Sequence, residues 1–540
     1  LAAGAFAGAA LAALQLLMWP EVSLSPAKAC FALVAWASWA GLWIGLVLFL
    51  LVELVAIFAP FLAAPKGFSI GLWRWLMVVV TFMVTFMAWW NRQETRDLLL
   101  PENRHALGVA ASISFLYMIA LLVLPINRRP HRHALAASLG LAVFVLTALW
   151  AVWIATPASR RPAVANQPPP FSPAHRLLFV SWEGTDLPWL LPAMERGDMP
   201  FLHACWANGA WGQLRTVRPY TRSADLATLV TGCAPSVHGV LGRHAYRIPW
   251  LTHDAVTLLL GPWQRPQQLP WKAWERAAPL APKRGTLWQI FLTADRSVGL
   301  VGWPHYAQGT WTVTTPLAAD VAPFSTLDPD LQAALTPALH SAPEFAVDAE
   351  RSFALAAALG EAAAQQASAH PVDALAIDYE LAAHLRPLWT EEDPASPGEE
   401  VLHQAARLLD EHLHTLSQLM GDDTLMVVVS PYGLAPPSSW QRLAYVGAHP
   451  RRWRVSPSNS PDGFVLFSGP GVRAGRLRGG RLADVTATVL YLLEMPVARD
   501  MAGRVLLDAV SETRTSSVPL RMIPSYPPSP NGRHDGAAPR

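Results

Sequence analysis

The sequence predicts two architectures in series: an all-α membrane domain of about five transmembrane helices, then an α/β domain with a mainly parallel sheet flanked by helices. Three observations carry this prediction. The first ninety residues are almost free of charge, holding only Glu21, Lys28, Glu53, Lys66 and Arg74. A proline-rich stretch at 156–174, TPASRRPAVANQPPPFSPA, then interrupts the chain. Beyond it short β-type runs alternate with helical patterns, the order expected when parallel strands are joined by crossover helices.

The hydrocarbon core of a bilayer requires about 20 apolar residues per helix. Such spans fall at 2–19, 30–52, 69–90, 106–125 and 134–155. A cleaved signal peptide accounts for one segment of this kind but not for all of them. The chain opens on Leu1 rather than Met, which leaves room for residues ahead of it and for a clipped first span. Glu53, inside the apolar stretch 30–64, reads either as a functional intramembrane carboxylate or as an interface residue at a helix end. The loop NRRPHRH at 127–133 is strongly basic and prefers the cytoplasm. That orientation places the α/β domain on the extracytoplasmic side of a bacterial-type inner (cytoplasmic) membrane and makes the mixed-charge loop 91–104 external.

A net charge of +2 over 540 residues gives no electrostatic footprint for nucleic acid. Membrane lipids and other membrane-protein subunits are the expected partners. Cys30, Cys205 and Cys233 do not make a disulfide framework.

Four segments follow from these shifts: a helical membrane domain at 1–155, a proline-rich linker at 156–174 that should be semi-rigid, an α/β domain at 175–510 and a proline-rich tail at 511–540. The strands are expected at 176–182, 297–303, 373–379, 424–430 and 463–469, and the helices at 187–208, 350–369, 398–420 and 483–494. Two segments of poor periodicity, 243–284 and 304–349, stand between them, the first holding Trp250, Trp263, Trp271 and Trp274. They read as a cap or partner surface, or as loops packed on their own domain. The tail has the composition of a disordered or docking segment.

The motifs come next. TGCAPSVHGVLG begins at Thr231, IDYELAAHLRPLW at Ile377, VVVSPYGL at Val427 and SNSPDGFVLFSGPGV at Ser458, and DVTATVLYLLEMPV follows from Asp484. Together and in this order they resemble the type I phosphodiesterase/nucleotide pyrophosphatase family of the alkaline phosphatase superfamily, over roughly residues 176–508. The arrangement of membrane helices ahead of such a domain is also similar to lipoteichoic-acid synthases and phosphoethanolamine transferases, although the motifs fit the phosphodiesterase branch better. The resemblance implies an alkaline-phosphatase-like fold and a two-metal phosphoryl-transfer site, in which paired divalent cations clamp the attacking and leaving oxygens beside an activated hydroxyl.

Carried over residue by residue, the family pattern meets different chemistry in this chain. The first metal-ligand Asp falls on Glu183, and the nucleophile, counted back from Thr231, falls on Arg222. The Asp-x-x-x-His pair becomes Glu380 and His384, the Asp-His pair becomes Pro431 and Tyr432, and the last His becomes Asn459. Proline has no side-chain donor or acceptor, a phenol with a pKa of about 10 is a poor ligand, and arginine stays protonated and cannot serve as nucleophile. A register slip by one would place Thr221 or Ser223 at the nucleophile position, but would not restore the Asp-His pair. Metal is therefore not expected; the weak candidates are Glu380 and His384, and the alternative cofactors are zinc or manganese. Arg222 either forks between Glu183 and Glu380 as a salt-bridged plug or points to solvent as an ordinary surface residue. His238 is read as structural, Asp378 as a minor ligand candidate sharing a strand face with Glu380, and Asp462 and Asp484 as turn and helix-start residues.

Two functions fit these readings. The first is a membrane-anchored pseudoenzyme, its phosphodiesterase-like domain kept as a scaffold or as an interaction subunit of a membrane assembly. The second is an active metal-dependent phosphodiesterase or phosphotransferase acting on a lipid-linked or nucleotide substrate.

Overall fold

A computed structural model describes residues 68–94, 97–99, 101–123, 171–218, 220–241, 246–247, 275–276, 281–304, 307–313, 343–386, 398–435 and 462–527, with isolated positions at 34, 43, 46, 47 and 50. The chain divides into two units, one of Leu1–Arg161, Leu241–Leu280 and His534–Arg540, the other of Pro162–Val240 and Ala281–Arg533.

In the first unit, α1 (Phe68–Glu94) covers the predicted span 69–90, and α2 (Pro101–Val123) begins on a proline, whose missing N–H costs nothing at a helix start. Among the described residues α2 is the one helix long and apolar enough to cross a membrane. The predicted spans 2–19 and 134–155 lie outside the described residues, as does nearly all of 30–52.

The second unit is the α/β domain. Its first strand, β1 (Arg176–Trp182), is followed by α3 (Leu187–Arg196), α4 (Pro200–Asn208) and β2 (Ala210–Arg215). Two short helices, α5 (Arg222–Thr231) and α6 (Pro235–His238), come next. The short strands β3 (Tyr246–Arg247) and β4 (Glu275–Arg276), from the first unit's insertion, pair antiparallel. The domain continues with α7 (Leu287–Thr293), β5 (Val298–Val301), β6 (Trp311–Val313), α8 (Pro343–Ala369) and β7 (Ala374–Tyr379). Then come α9 (Leu381–Leu385), α10 (Gly398–Met420), β8 (Thr424–Tyr432) and β9 (Asp462–Ser468). It closes with β10 (Gly475–Arg476), β11 (Gly480–Arg481), α11 (Leu482–Leu492), β12 (Val497–Ala498), α12 (Glu512–Ser517) and β13 (Met522–Ile523).

The main sheet has the order β10-β2-β9-β8-β1-β7-β5-β6, with β11 also on β2. The strands from β8 to β6 run parallel, and β9 is antiparallel to both of its neighbours. The sheet is thus mainly parallel, and its central strands are buried on both faces, which explains their continuous apolar runs. On one face Leu178 and Val180 of β1 and Ile377 of β7 pack with Phe353 of α8 and with Leu409 and Leu413 of α10. On the other, Phe179 meets Trp288 edge to face at 5.4 Å between ring centres.

Three expectations change. The helix predicted at 187–208 is broken in two, because Gly197 takes a left-handed φ of 84° as the cap of α3 and Pro200 starts a new helix. AWGQLR, which the sequence reading did not assign, forms β2; its weak apolar alternation hid it, and its pairing with β9 makes it a strand. Residues 511–527 of the tail are structured. There β13 pairs with β12, Tyr491 donates a hydrogen bond to the Val518 carbonyl (2.8 Å) and Tyr526 donates one to the Pro496 carbonyl (2.6 Å). Composition counted the prolines and missed these anchors; residues 528–540 lie outside the described set.

Candidate functional site

The carboxyl edge of the parallel strands gathers the residues singled out above. Pairing of β1 with β7 sets Ser181 opposite Asp378 and Trp182 opposite Tyr379, so the residues just beyond the strand ends, Glu183 and Glu380, emerge side by side. The Glu183 amide donates to the Tyr379 carbonyl at 2.9 Å and extends that register by one step. On the other side of β1, β8 brings Tyr432 to the same edge. Helix α5 begins at Arg222 and points its first side chain into this space.

Arg222 is the centre of the cluster. Its Nε donates to both carboxylate oxygens of Glu183, at 2.7 and 2.8 Å. Its Nη2 reaches Asp378 Oδ2 at 2.8 Å and Glu380 Oε1 at 2.8 Å. The Tyr432 hydroxyl donates to Glu183 Oε2 at 3.0 Å, and the Tyr220 ring lies 4.3 Å from that of Tyr432. The side chains of Glu183 and Asp378 are fully buried, whereas about a third of Arg222 and of Glu380 is exposed. His384 Nε2 stands 3.5 Å from Glu380 Oε2. Ser430 accepts from the Thr185 amide and donates to the Tyr432 carbonyl, and Thr216 donates to the Pro431 carbonyl, so the turn is braced by hydroxyls.

The electrostatics follow from this packing. Burial disfavours the Arg222 charge, but Glu183, then Asp378 and Glu380, outweigh it and hold the guanidinium above its ordinary pKa. Burial first, and the neighbouring Glu183 second, push Asp378 well above the usual carboxylate range. Among the described residues Asp378 Oδ1 faces no hydrogen-bond partner. Burial and Glu183 likewise raise the Tyr432 phenol, which stays a hydrogen-bond donor.

A prediction arises here. Because the folded-state pKa of Asp378 lies above its unfolded value, its contribution to stability is complete below pH ~4 and is lost as pH rises through the folded pKa. Asp378→Asn keeps a donor for Glu183 and an acceptor for Arg222 without the titration. The variant is expected to flatten the part of the denaturant-midpoint profile that falls as pH rises above ~4. An unchanged slope there in the variant would remove Asp378 as its source.

Thr221 precedes α5 and Ser223 lies in its first turn, while Arg222 holds the position between the carboxylates. Pro431 lies within β8 and contributes its carbonyl; Asn459 lies outside the described residues. Asp378, read from the sequence as a minor candidate, is a full member of the cluster. The signal was its two-residue spacing from Glu380, which puts both on one strand face. Tyr220 and the Arg386–Asp186 pair (3.0 Å), which ties α9 to the turn after β1, carried no signal in the sequence. His238 is fully buried: its Nδ1 accepts from the Val240 amide, Thr228 lies 3.0 Å from Nε2, and burial lowers its pKa to about 3, in keeping with a structural neutral imidazole. Asp484 caps the start of α11 by accepting from the Arg481 amide, and Asp462 opens β9.

Residues 188–452 match the model of the type I phosphodiesterase / nucleotide pyrophosphatase family. Over these residues the chain is similar to that family. Among curated proteins none matches the sequence. Solved structures similar to it include murine ectonucleotide pyrophosphatase/phosphodiesterase 5, at 15% identity and a TM-score of 0.39 over 62% of this chain and 100% of that one. The human form is similar at 14% identity and a TM-score of 0.36, covering 62% and 98%. Phosphonoacetate hydrolase from Sinorhizobium meliloti 1021 is similar at 15% and 0.30, covering 49% and 57%. Scores this low carry no inference about activity. At the carboxyl edge of this chain's parallel strands an arginine is bound to three carboxylates.

Proposed function

We propose that this chain is a membrane-anchored, phosphodiesterase-like protein without phosphodiester chemistry, whose α/β domain serves as a scaffold or interaction subunit of a membrane assembly on the extracytoplasmic side. The single observation that carries the reading is the Arg222 guanidinium among Glu183, Asp378 and Glu380. A charged group there takes the carboxylate oxygens that a divalent cation would need, and it has no lone pair with which to attack a phosphorus atom. The donor set argues the same way: Pro431 supplies no side-chain ligand, Tyr432 spends its hydroxyl hydrogen on Glu183, and among the described residues no group of three or more His, Cys, Asp and Glu is placed to hold a metal. The residues present therefore do not fit a pair of catalytic cations. Membrane anchoring is supported by the apolar helix α2 together with the charge-poor N-terminal sequence.

The test is hydrolysis. Purified full-length protein supplied with Zn²⁺ or Mn²⁺ is expected to cleave no aryl phosphodiester above the buffer rate. Metal-dependent turnover abolished by Glu380→Ala or His384→Ala would overturn the proposal. Proteins that co-purify from native membranes then identify the assembly.

A further inference from the structure

We infer that the outer rim of the main sheet, where β10 and β11 lie along β2, is a docking face for a bilayer surface bearing anionic phospholipid headgroups. The inference rests on the membrane anchoring in the proposed function and is independent of the absence of hydrolysis. The segment 473–481, RAGRLRGGR, holds four arginines and no acid. Pairing of Arg476 with Trp211 and of Arg481 with Arg215 fixes it along the rim. Leu477 is its anchor: the amide donates to the Trp211 carbonyl at 2.7 Å, and the side chain is buried against Gly212. Arg476 and Arg478, on either side of that anchor, are exposed, as is Arg473.

Little in the fold neutralises these charges. Arg481 is held by Asp484 at 3.0 Å, but Arg478 comes no nearer than 4.0 Å to Asp508 and is 91% exposed. Among the described residues neither Arg473 nor Arg476 has a carboxylate partner; Arg476 lies over the Trp211 ring, 5.6 Å from its centre. A short 3-10 turn, Leu507–Ala509, packs on β10 and β2, where the Ala509 carbonyl accepts from the Arg473 amide at 2.9 Å. Its first residue, Leu507, is 60% exposed. Arginines grouped with a tryptophan and an exposed leucine suit a lipid–water interface, where guanidinium groups pair with phosphates and the apolar group enters the acyl boundary. The rim is also open, since a Cβ at Gly475 or Gly479 would meet no atom within 4 Å. An open rim suits a continuous layer of headgroups, which requires no complementary shape, and a chain anchored by an apolar helix such as α2 is never far from one.

Modification of arginines by phenylglyoxal, read residue by residue by mass spectrometry, tests this on full-length protein in nanodiscs of phosphatidylcholine alone or mixed with phosphatidylglycerol. In the anionic discs Arg473, Arg476 and Arg478 are expected to react about fivefold more slowly than in the neutral ones, the factor for ~1 kcal/mol per arginine. Arg196 and Arg407, exposed elsewhere on the domain, should react alike in both. Molar salt, which shortens the Debye length to about 3 Å, should erase the difference. Leu507→Glu, which sets a negative charge on the face at an exposed position, should reduce it. Equal reactivity in the two discs overturns the inference. So does equal protection in both, which would assign the face to a protein partner or a second copy. Protection reproduced in neutral discs by soluble glycerol phosphate also overturns it, because the face would then bind free phosphate rather than a surface. Should the chain not enter discs, the anchoring reading fails separately, and flotation of the full chain with vesicles of the same two compositions decides: binding to the anionic vesicles alone supports the docking face, and binding to neither or to both overturns it. No arm involves hydrolysis, so failure here is distinguishable from failure of the proposed function.

Discussion

Arg222→Ala is expected to lower the stability of the α/β domain by about 3 kcal/mol, the low end of the range for breaking a buried ion pair. The lower figure reflects the third of the side chain that is exposed and solvated. The loss comes less from the missing hydrogen bonds than from Glu183, which remains buried without a counter-charge. Arg222→Lys should recover only part of it, because an ammonium is a single point and cannot hold Glu183 through one edge while reaching the other two acids. Urea unfolding monitored by tryptophan fluorescence measures both variants. A loss below about 0.5 kcal/mol for the alanine variant, as for an ordinary surface pair, would show that the cluster contributes little to the fold.

Gly184→Ala is expected to cost about 3 kcal/mol or more and to disturb the site directly. Gly184 has a φ of +78°, and a Cβ there would lie 2.6 Å from the Ala383 Cα and 2.8 Å from its amide nitrogen. Both contacts are with backbone, so no side-chain rotation relieves them, and the left-handed backbone adds about 1 kcal/mol of its own. The turn after β1 or helix α9 must therefore move, and these carry Glu183 on one side and Glu380 on the other. The variant should lose stability and the ordering of the Arg222 cluster together. Comparing it with a Gly184→Ala/Arg222→Ala double variant checks this: the two losses should fall short of adding, since the first has already loosened what the second removes. Strict additivity would place the glycine effect outside the cluster.

The central strands were legible because they are buried on both faces: VVVS and LLFV cannot be solvated anywhere else, and residue order alone places them in a parallel sheet. α10 was equally legible from its periodicity. β2 was not, since AWGQLR becomes a strand only through its pairing with β9 and the support of β10 and β11. The tail misled for the opposite reason. Its prolines dominate its composition, whereas a few contacts, such as Tyr526 with Pro496 and Arg514 with Glu494, decide its order.

The candidate site divides along the same line. That Glu183, Arg222, Glu380, His384, Pro431 and Tyr432 belong together was an expectation drawn from residue order alone. What those side chains do to one another belongs to the fold. Arg222 is 39 residues from Glu183 and 156 from Asp378 along the chain, and it meets both only because β1 and β7 are neighbours and α5 begins above them. Asp378 becomes part of the charge cluster, and is driven toward its protonated form, through burial beside Glu183. Local chemistry is written in single residues; desolvation and charge pairing arise only when distant ones are brought into the same dry space.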